Sequence, residues 1–351
     1  MSNEMTSRER IFCALERGIP DRVPLYEAVV DEHVMQALLP GCDYYQFNDW
    51  IGLDVAGLNR SSWRRDNVKY VDKEKGWFKD SWGVIRAFGP ESTPYPIEGP
   101  IKRPEDLKTY RPPDPNAPDV LGHLPEVIKH FKGRKAITMI GRDGFFNPSF
   151  LRGEAQFLMD MIENPKLVHE LIEVCLSFDI PYVRRMVRAG VEVVVFGDDY
   201  ADKNGPIMSP KHFREFILPA LKKVVKAAKE EGAYVVKHTD GNIMPLLDMI
   251  VEAGVHGLNP IEPAKDMDIA EIKRKYGDRL ALIGNIDCGD LLCFGTPQQV
   301  REKVKWTIKA AGFNGGFILA SSNSIHSSVK PENYLAMCQA CREFGAYPLK
   351  V

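Results

Sequence analysis

Several things are missing from this sequence, and each absence excludes something. It has no basic excess: 46 Lys and Arg stand against 48 Asp and Glu, a formal net charge of −2. A protein that neutralises a phosphate backbone needs surplus cationic charge, so no nucleic-acid partner is expected. No apolar run approaches the roughly 18 residues needed to cross a bilayer, so no membrane span is expected either. The seven cysteines are odd in number and scattered, which is not a disulfide framework. Only Cys338-x-x-Cys341 is closely spaced. It has no second pair or nearby His to complete a four-ligand site, so both thiols are read as buried helix residues. The opening stretch MSNEMTSRERIFCALERG is charged and has no apolar core, so no secretory leader is expected and the chain is read as cytoplasmic and reduced. No phosphate loop, GxGxxG or GxSxG occurs, which leaves nucleotide and Ser-hydrolase chemistry without a motif. No fixed-period repeat points to a solenoid.

What is present is an alternation. In the second half, AGVEVVVFGDD (189–199), AYVVKHTDG (233–241), VHGLNPIE (255–262), RLALIGNID (279–287) and GGFILASS (315–322) read as strands. Helical segments 209–232, 242–254, 267–277, 296–312 and 330–345 separate or follow them. Ser209 and Pro210 make an N-cap and N1 pair, and Gly232, Gly254, Gly277 and Gly312 are placed as helix stops. Several strands are apolar throughout, the mark of a parallel sheet covered on both faces. In the first half, strands are read at 21–30, within 50–60 and at 134–144. Segment 68–89 reads as a β-hairpin inserted at the barrel wall or rim, and Pro-rich 96–119 as an ordered surface loop. Strands near 24, 56, 137, 194, 235, 258, 282 and 318 number eight, which closes a (β/α)8 TIM barrel. Residues 1–351 are therefore expected to form one α/β barrel domain, with an open doubly wound sheet as the competing architecture.

Chemistry in such a barrel gathers where the strands end. The polar residues there are Glu27, Asn59, Arg142 with Asp143, Asp198 with Asp199, His238 with Asp240, Glu262, Asn285 with Asp287, and Ser322 with Asn323. Burying so many polar groups at one end is costly unless they are paired or used. In His238-x-Asp240 the two side chains share a strand face, so both can address one centre. That centre is open to three readings: a divalent ion, acid–base or substrate duty, or an Asp that orients a His. Asn285-x-Asp287 repeats the spacing, with Cys288 as a candidate soft ligand. Adjacent strand residues point oppositely, so one of Asp198 and Asp199 is expected to enter the site. His326 lies on the loop after the last strand, over the mouth.

The blocks SRERIFCALERGIPDRVPL (7–25), GFFNPSFLRGEAQFLMDMIENP (144–165), FGDDYADKNGPIMSPKHFREFILP (196–219), VVKHTDGNIMPLLDMIVEAGVHGLNPIEP (235–263), LALIGNID (280–287) and GGFILASSNSIHSSVKPENYLAM (315–337) occur in an order that resembles the uroporphyrinogen decarboxylase superfamily, which also holds cobalamin-dependent methyltransferases. The resemblance implies a (β/α)8 barrel. The Arg-rich N-terminal motif of the decarboxylases is absent: LYEAVVDEHVMQ follows Pro24, acidic and without Arg. The thiol methyltransferases of the superfamily hold zinc through His-x-Cys and a distant Cys. Here His238 matches the His, Asp240 stands at the first Cys, and Asn323 lies near the second. Oxygen ligands in place of thiolates leave a harder, more electrophilic ion, suited to an ether rather than a thiol.

The resemblance thus implies a methyltransferase of the O-demethylase type. It would move methyl from a methoxylated, aromatic small molecule to the cobalamin cobalt of a corrinoid protein, assisted by zinc. His238, Asp199 and Glu27 are the expected catalytic residues, and His238, Asp240 and Glu27 the expected metal ligands. Arg142, Asp198, Asn285, Asp287, Asn323 and His326 are expected to bind substrate, with Arg142 facing a substrate carboxylate. The expected partners are the methyl donor and the corrinoid protein, with a homodimer as one assembly open to the chain. The competing functions are a decarboxylase of a tetrapyrrole or other carboxylated substrate, and a barrel that has lost activity.

Overall fold

The computed structural model describes residues 4–57, 68–89 and 94–350. Its strands are β1 (Val55–Gly57), β2 (Tyr70–Asp72), β3 (Trp77–Lys79), β4 (Ile85–Ala87), β5 (Tyr95–Glu98), β6 (Ala136–Gly141), β7 (Val193–Phe196), β8 (Tyr234–His238), β9 (Gly257–Asn259), β10 (Ala281–Ile286) and β11 (Phe317–Ser321). Seven of them form one parallel sheet in the order β1-β6-β7-β8-β9-β10-β11. Every residue of β7, β10 and β11 is buried, because helices cover the outside and side chains fill the inside.

The eighth stave is the extended segment 24–26. It exchanges bonds with β11 (Leu319 N–H to Pro24 O and Tyr26 N–H to Leu319 O, both 2.9 Å) and takes the Asp54 N–H on its other side (2.9 Å to Leu25 O). Pro24 has no N–H to give, so the ladder is too short to count as a strand, yet it closes the barrel. All eight expected strand positions are therefore occupied. Asn59 lies outside the described residues.

Side chains two apart on successive strands fill the interior: Val193 and Val195, Ala281 and Ile283, Ile318 and Ala320. The helix Ser7–Leu15 plugs the N-terminal end of the barrel with Ile11, Ala14 and Leu15. Packing thus closes one end and leaves the strands' C-terminal end for chemistry.

Several local expectations need correction. The rim insertion is a four-stranded antiparallel sheet, β2-β3-β4-β5, rather than a hairpin. Edge strand β5 falls partly in the stretch read as loop. All four of its residues are exposed and one is Pro96, so it carries no alternation to read. Pro104–Lys108 adds a 3-10 turn there. The helix read from Ser209 is capped as expected, by Ser209 accepting from His212 N–H, but a π-turn at Phe213–Ile217 interrupts it. Pro219 follows within that run, has no N–H, and cannot continue the regular ladder. Gly232 and Gly254 do stop helices with positive φ. Gly277 stays right-handed, and after Gly312 the turn is made by Gly315 and Gly316. Cys338 and Cys341 are buried in the last helix, Pro331–Phe344, as expected. No helix among the described residues is long and apolar enough to cross a membrane.

The closing stave is held by one buried carboxylate. Asp54 accepts from Leu25 N–H (2.8 Å), Arg10 Nη1 (2.7 Å) and both terminal nitrogens of Arg22 (2.9 Å each). Replacing Asp54 by Ala leaves the buried Arg10 guanidinium without one of its counter-charges and unpins Leu25. The expected loss is about 3–5 kcal/mol of unfolding free energy, read from equilibrium denaturation, with Asp54→Asn losing less. A variant as stable as wild type would show that the stave is held by packing alone.

Candidate active site

At the open end a pocket of about 290 Å³ is lined by Tyr26, Glu27, Arg86, Arg142, Phe146, Phe150, Asp199, His238, Asp240, Asn259, Ser321 and Asn323, among others. The strand order brings these together from both halves of the chain. β8 ends at His238, and the turn after it carries Asp240. β7 leads into Asp199, β9 ends at Asn259, and β11 leads into Asn323.

His238 Nδ1 lies 2.6 Å from Asn259 Oδ1. An amide oxygen only accepts, so Nδ1 carries the proton and Nε2 offers its lone pair to the pocket. That nitrogen faces two carboxylates, 3.5 Å from Asp240 Oδ1 and 3.8 Å from Asp199 Oδ1. Asp240 Oδ2 accepts from Asn323 Nδ2 (2.6 Å), while its buried Oδ1 has no hydrogen bond. Burial pushes the Asp240 carboxyl up to about 6, against the lowering effect of His238. One ligand atom each from Asp199, His238 and Asp240 lies within 4.8 Å of the others. Three electron-rich atoms facing one point, one of them buried and unsatisfied, fit a divalent cation such as zinc.

The carboxylate set differs from expectation in one member. Glu27 lines the same pocket but is not part of that cluster. Ser321 Oγ sits 2.6 Å from Asn323 O and 2.7 Å from Glu27 Oε2. The Ser321 hydroxyl lies between these two acceptors and donates to Glu27 Oε2, while its backbone N–H donates to Glu27 Oε1 (2.8 Å). Burial outweighs these bonds and pushes the carboxyl up to about 8, which favours the neutral acid. The third acidic or imidazole ligand atom grouped with His238 and Asp240 comes from Asp199 and not from Glu27.

Four expected substrate contacts also move. Asp198 is fully buried and lies beneath the pocket. Its Oδ2 accepts from the backbone N–H groups of Asp143 (3.2 Å), Phe145 (3.0 Å) and Phe146 (2.9 Å), and its Oδ1 lies 3.3 Å from Arg142. Burial raises that carboxyl, but Arg142 and Lys237 outweigh it and hold it below its usual range. Asn285 is buried outside the pocket lining, with Oδ1 unpartnered. Asp287 spends its side chain on the turn that follows, accepting from Gly289 N–H (2.8 Å) and Asp290 N–H (3.2 Å). His326 Nε2 donates to Cys288 O (3.1 Å) and pins the last loop. Cys288, the candidate soft ligand, is buried beside Ser322 with its thiol pushed up to about 11 by burial, and is no part of the cluster. Asp199 enters the pocket while Asp198 turns under the loop, the split that strand parity requires.

Some residues escape a reading by strand ends. Asn259, which fixes the His238 tautomer, escapes because its strand reads from the sequence as running on to Glu262, whereas it ends at Asn259 itself. Tyr26, Phe146, Phe150 and Arg86 escape because nothing local distinguishes them from core or surface residues. Beneath the pocket, Lys237 faces the opposite way from His238. It is fully buried, 2.5 Å from Asp143 Oδ2 and 2.7 Å from Asp198 O, with its ammonium 3.9 Å from the Tyr200 ring centroid. Tyr200 donates to the other Asp143 oxygen (2.7 Å).

Comparison with known proteins gives consistent relations. The uroporphyrinogen decarboxylase (URO-D) family model matches residues 80–344. The uroporphyrinogen decarboxylase of Aeromonas salmonicida is 23% identical over 267 residues, covering 71% of each chain. The methylated-thiol–coenzyme M methyltransferase of Methanosarcina mazei is 24% identical over 254 residues, 71% of this chain and 65% of that protein. Among solved structures, a methyltransferase from Methanosarcina mazei superposes with a TM-score of 0.76 at 21% identity, covering 97% of this chain and 99% of that one, which establishes the barrel fold.

The protonated Glu27 has a thermodynamic signature. Its carboxyl titrates near 4.5 when unfolded and near 8 when folded, so between those values the folded state holds the extra proton. Stability from this group is complete below about pH 4.5 and is lost as pH rises towards 8. Glu27→Gln keeps the shape of the neutral acid and removes the titration. The unfolding free energy of Glu27→Gln relative to wild type should therefore rise by a few kcal/mol between pH 5 and 8. Parallel stability curves for the two proteins would mean that Glu27 is ionised throughout.

Proposed function

The chain belongs to the uroporphyrinogen decarboxylase family, and on that premise we propose that it is a methyltransferase that demethylates a methoxylated aromatic small molecule and delivers the methyl group to a separate corrinoid protein. The observation that carries this reading is the Asp199–His238–Asp240 cluster at the open end of the barrel. A divalent ion held there, zinc being the expected one, would act as a Lewis acid on the ether oxygen. An imidazole and two carboxylates make a hard donor set, which favours an ether over a thiol.

The chain's own residues have separable duties. Asn259 fixes the His238 tautomer, and Asn323 holds Asp240 by one oxygen while leaving the other for the centre. Glu27 brings a proton into the pocket that an ionised carboxylate could not. When the methyl–oxygen bond breaks, its electron pair stays on oxygen, and proton transfer from Glu27 balances the charge of the departing phenoxide. Tyr26, Phe146 and Phe150 give the pocket an aromatic lining for a flat donor. The acceptor must reach the methyl carbon from the mouth, so the corrinoid protein docks over the strands' C-terminal ends.

A second reading is decarboxylation, favoured by the relatives that carry that name. A tetrapyrrole with several carboxylates fits poorly. The segment entering the pocket from the closing stave is acidic and contains no Arg. Release of carbon dioxide without any corrinoid would select this reading.

Full-length protein prepared with zinc should carry about one equivalent, and Asp199→Ala or Asp240→Ala should lower that content well below one. His238→Ala should slow corrinoid methylation by at least about 10²-fold, with thermal unfolding little changed because the ring borders the pocket and leaves no core cavity. Turnover within about threefold of wild type would remove His238, and the cluster with it, from the reaction.

A further inference from the structure

The pocket wall carries two groups of opposite charge. Asp199, His238 and Asp240, at and just after the ends of β7 and β8, make one of them. In the other, Arg142 extends from the end of β6, and Arg86 reaches in from the rim sheet.

Arg142 is anchored by one nitrogen. Nη1 donates to Gly197 O (2.8 Å) and lies 3.3 Å from Asp198 Oδ1. Among the described residues, Nε and Nη2 take no protein acceptor, and the side chain is 32% exposed where it lines the pocket. Nε and Nη2 form the parallel donor edge that matches a carboxylate. Balancing Asp198 needs only the anchored nitrogen.

The guanidiniums are held in place by aromatic faces. Arg142 lies over Phe146 at 5.1 Å from its centroid, and Arg86 over Phe150 at 5.0 Å. The two rings are one turn apart on the helix Phe146–Arg152 and stack on each other at 5.0 Å and 22°. Arg86 is set further by Asp80, 2.6 Å from its Nε. Both cations are thus positioned before any ligand arrives, which limits the ordering cost of binding.

We infer that the methyl donor is an aromatic carboxylate, its carboxylate seated on the Nε–Nη2 edge of Arg142 with Arg86 beside it, and its methoxyl directed at the Asp199–His238–Asp240 group. Charge sets this orientation: Asp199 and Asp240 repel the carboxylate that the arginines attract. The rim sheet is then a specificity element, because it and its approach supply Arg86, Pro94 and Pro96 to the wall near the basic group. The methoxyl half of this inference rests on the proposed methyl transfer. The carboxylate half rests on the arginines alone.

Calorimetric titration of the full-length protein, without corrinoid, separates the two halves. The probes are 4-methoxybenzoate and its neutral isostere 4-methoxybenzamide. Wild type should bind the benzoate at least about tenfold more tightly than the benzamide. Arg142→Lys keeps a charge over Asp198 but lacks the donor edge, so it should reduce that ratio below about threefold, with the loss falling mainly on the benzoate. Arg86→Lys should reduce the ratio by a smaller factor, and it serves as the readout if Arg142→Lys melts far below wild type. Equal affinities in wild type, no binding of either probe, or a full ratio in both variants would overturn the inference. A preserved ratio in a protein that never methylates an added corrinoid protein would overturn the methyl-transfer reading alone and leave the carboxylate site standing.

Discussion

Closure of the barrel rests on Asp54. This carboxylate sits where β1 begins, fully buried, and binds the closing stave through Leu25 while neutralising Arg10 and Arg22. Little else holds segment 24–26 by hydrogen bonds, because Pro24 shortens its ladder with β11. The site depends on this clasp directly. Glu27 lies two residues beyond Leu25, and its contact with Ser321 joins the first stave to the last across the closure. A barrel that opened at this seam would lose the buried environment that keeps Glu27 neutral.

The open end is organised in two layers of charge. The lower layer is self-contained: Lys237, Asp143 and Tyr200 satisfy one another, and Asp198 binds the loop that carries Phe145 and Phe146. Burial favours the neutral form of Asp143 and pushes its carboxyl well up, with the nearby Asp198 adding to this and Lys237 opposing it. The upper layer is left unbalanced, with two carboxylates against an imidazole lone pair in one group and a half-used guanidinium in the other. Buried polar groups in a folded protein are normally satisfied. In the upper layer Asp240 Oδ1 is buried without a hydrogen bond and Arg142 keeps a donor edge open, which is the physical basis for reading that layer as a site and the lower as its support.

Family membership alone does not select the chemistry, since one barrel hosts many reactions. The donor set does more. Oxygen ligands, a neutral acid and an aromatic wall agree with cleavage of an ether bond. The same positions filled with thiolates would suit a thiol.

The sequence by itself determined the barrel, because its signals are local and repeated: all-apolar strands, capped helices and strict alternation leave few other ways to bury those faces. It also determined that His238 and Asp240 share a face and that only one of Asp198 and Asp199 enters the mouth, since both follow from the two-residue period of a strand. The exposed strand β5 left no such pattern. Only the tertiary structure decided the partners. Asp199 rather than Glu27 joins His238 and Asp240, because Glu27 is buried against Ser321, 294 residues away, where desolvation pushes its carboxyl up. Asp287 and His326 turned to their own loops, and Arg86 arrived from an inserted sheet. Charge state and ligand choice depend on what lies within a few ångströms, and distance along the chain says nothing about that.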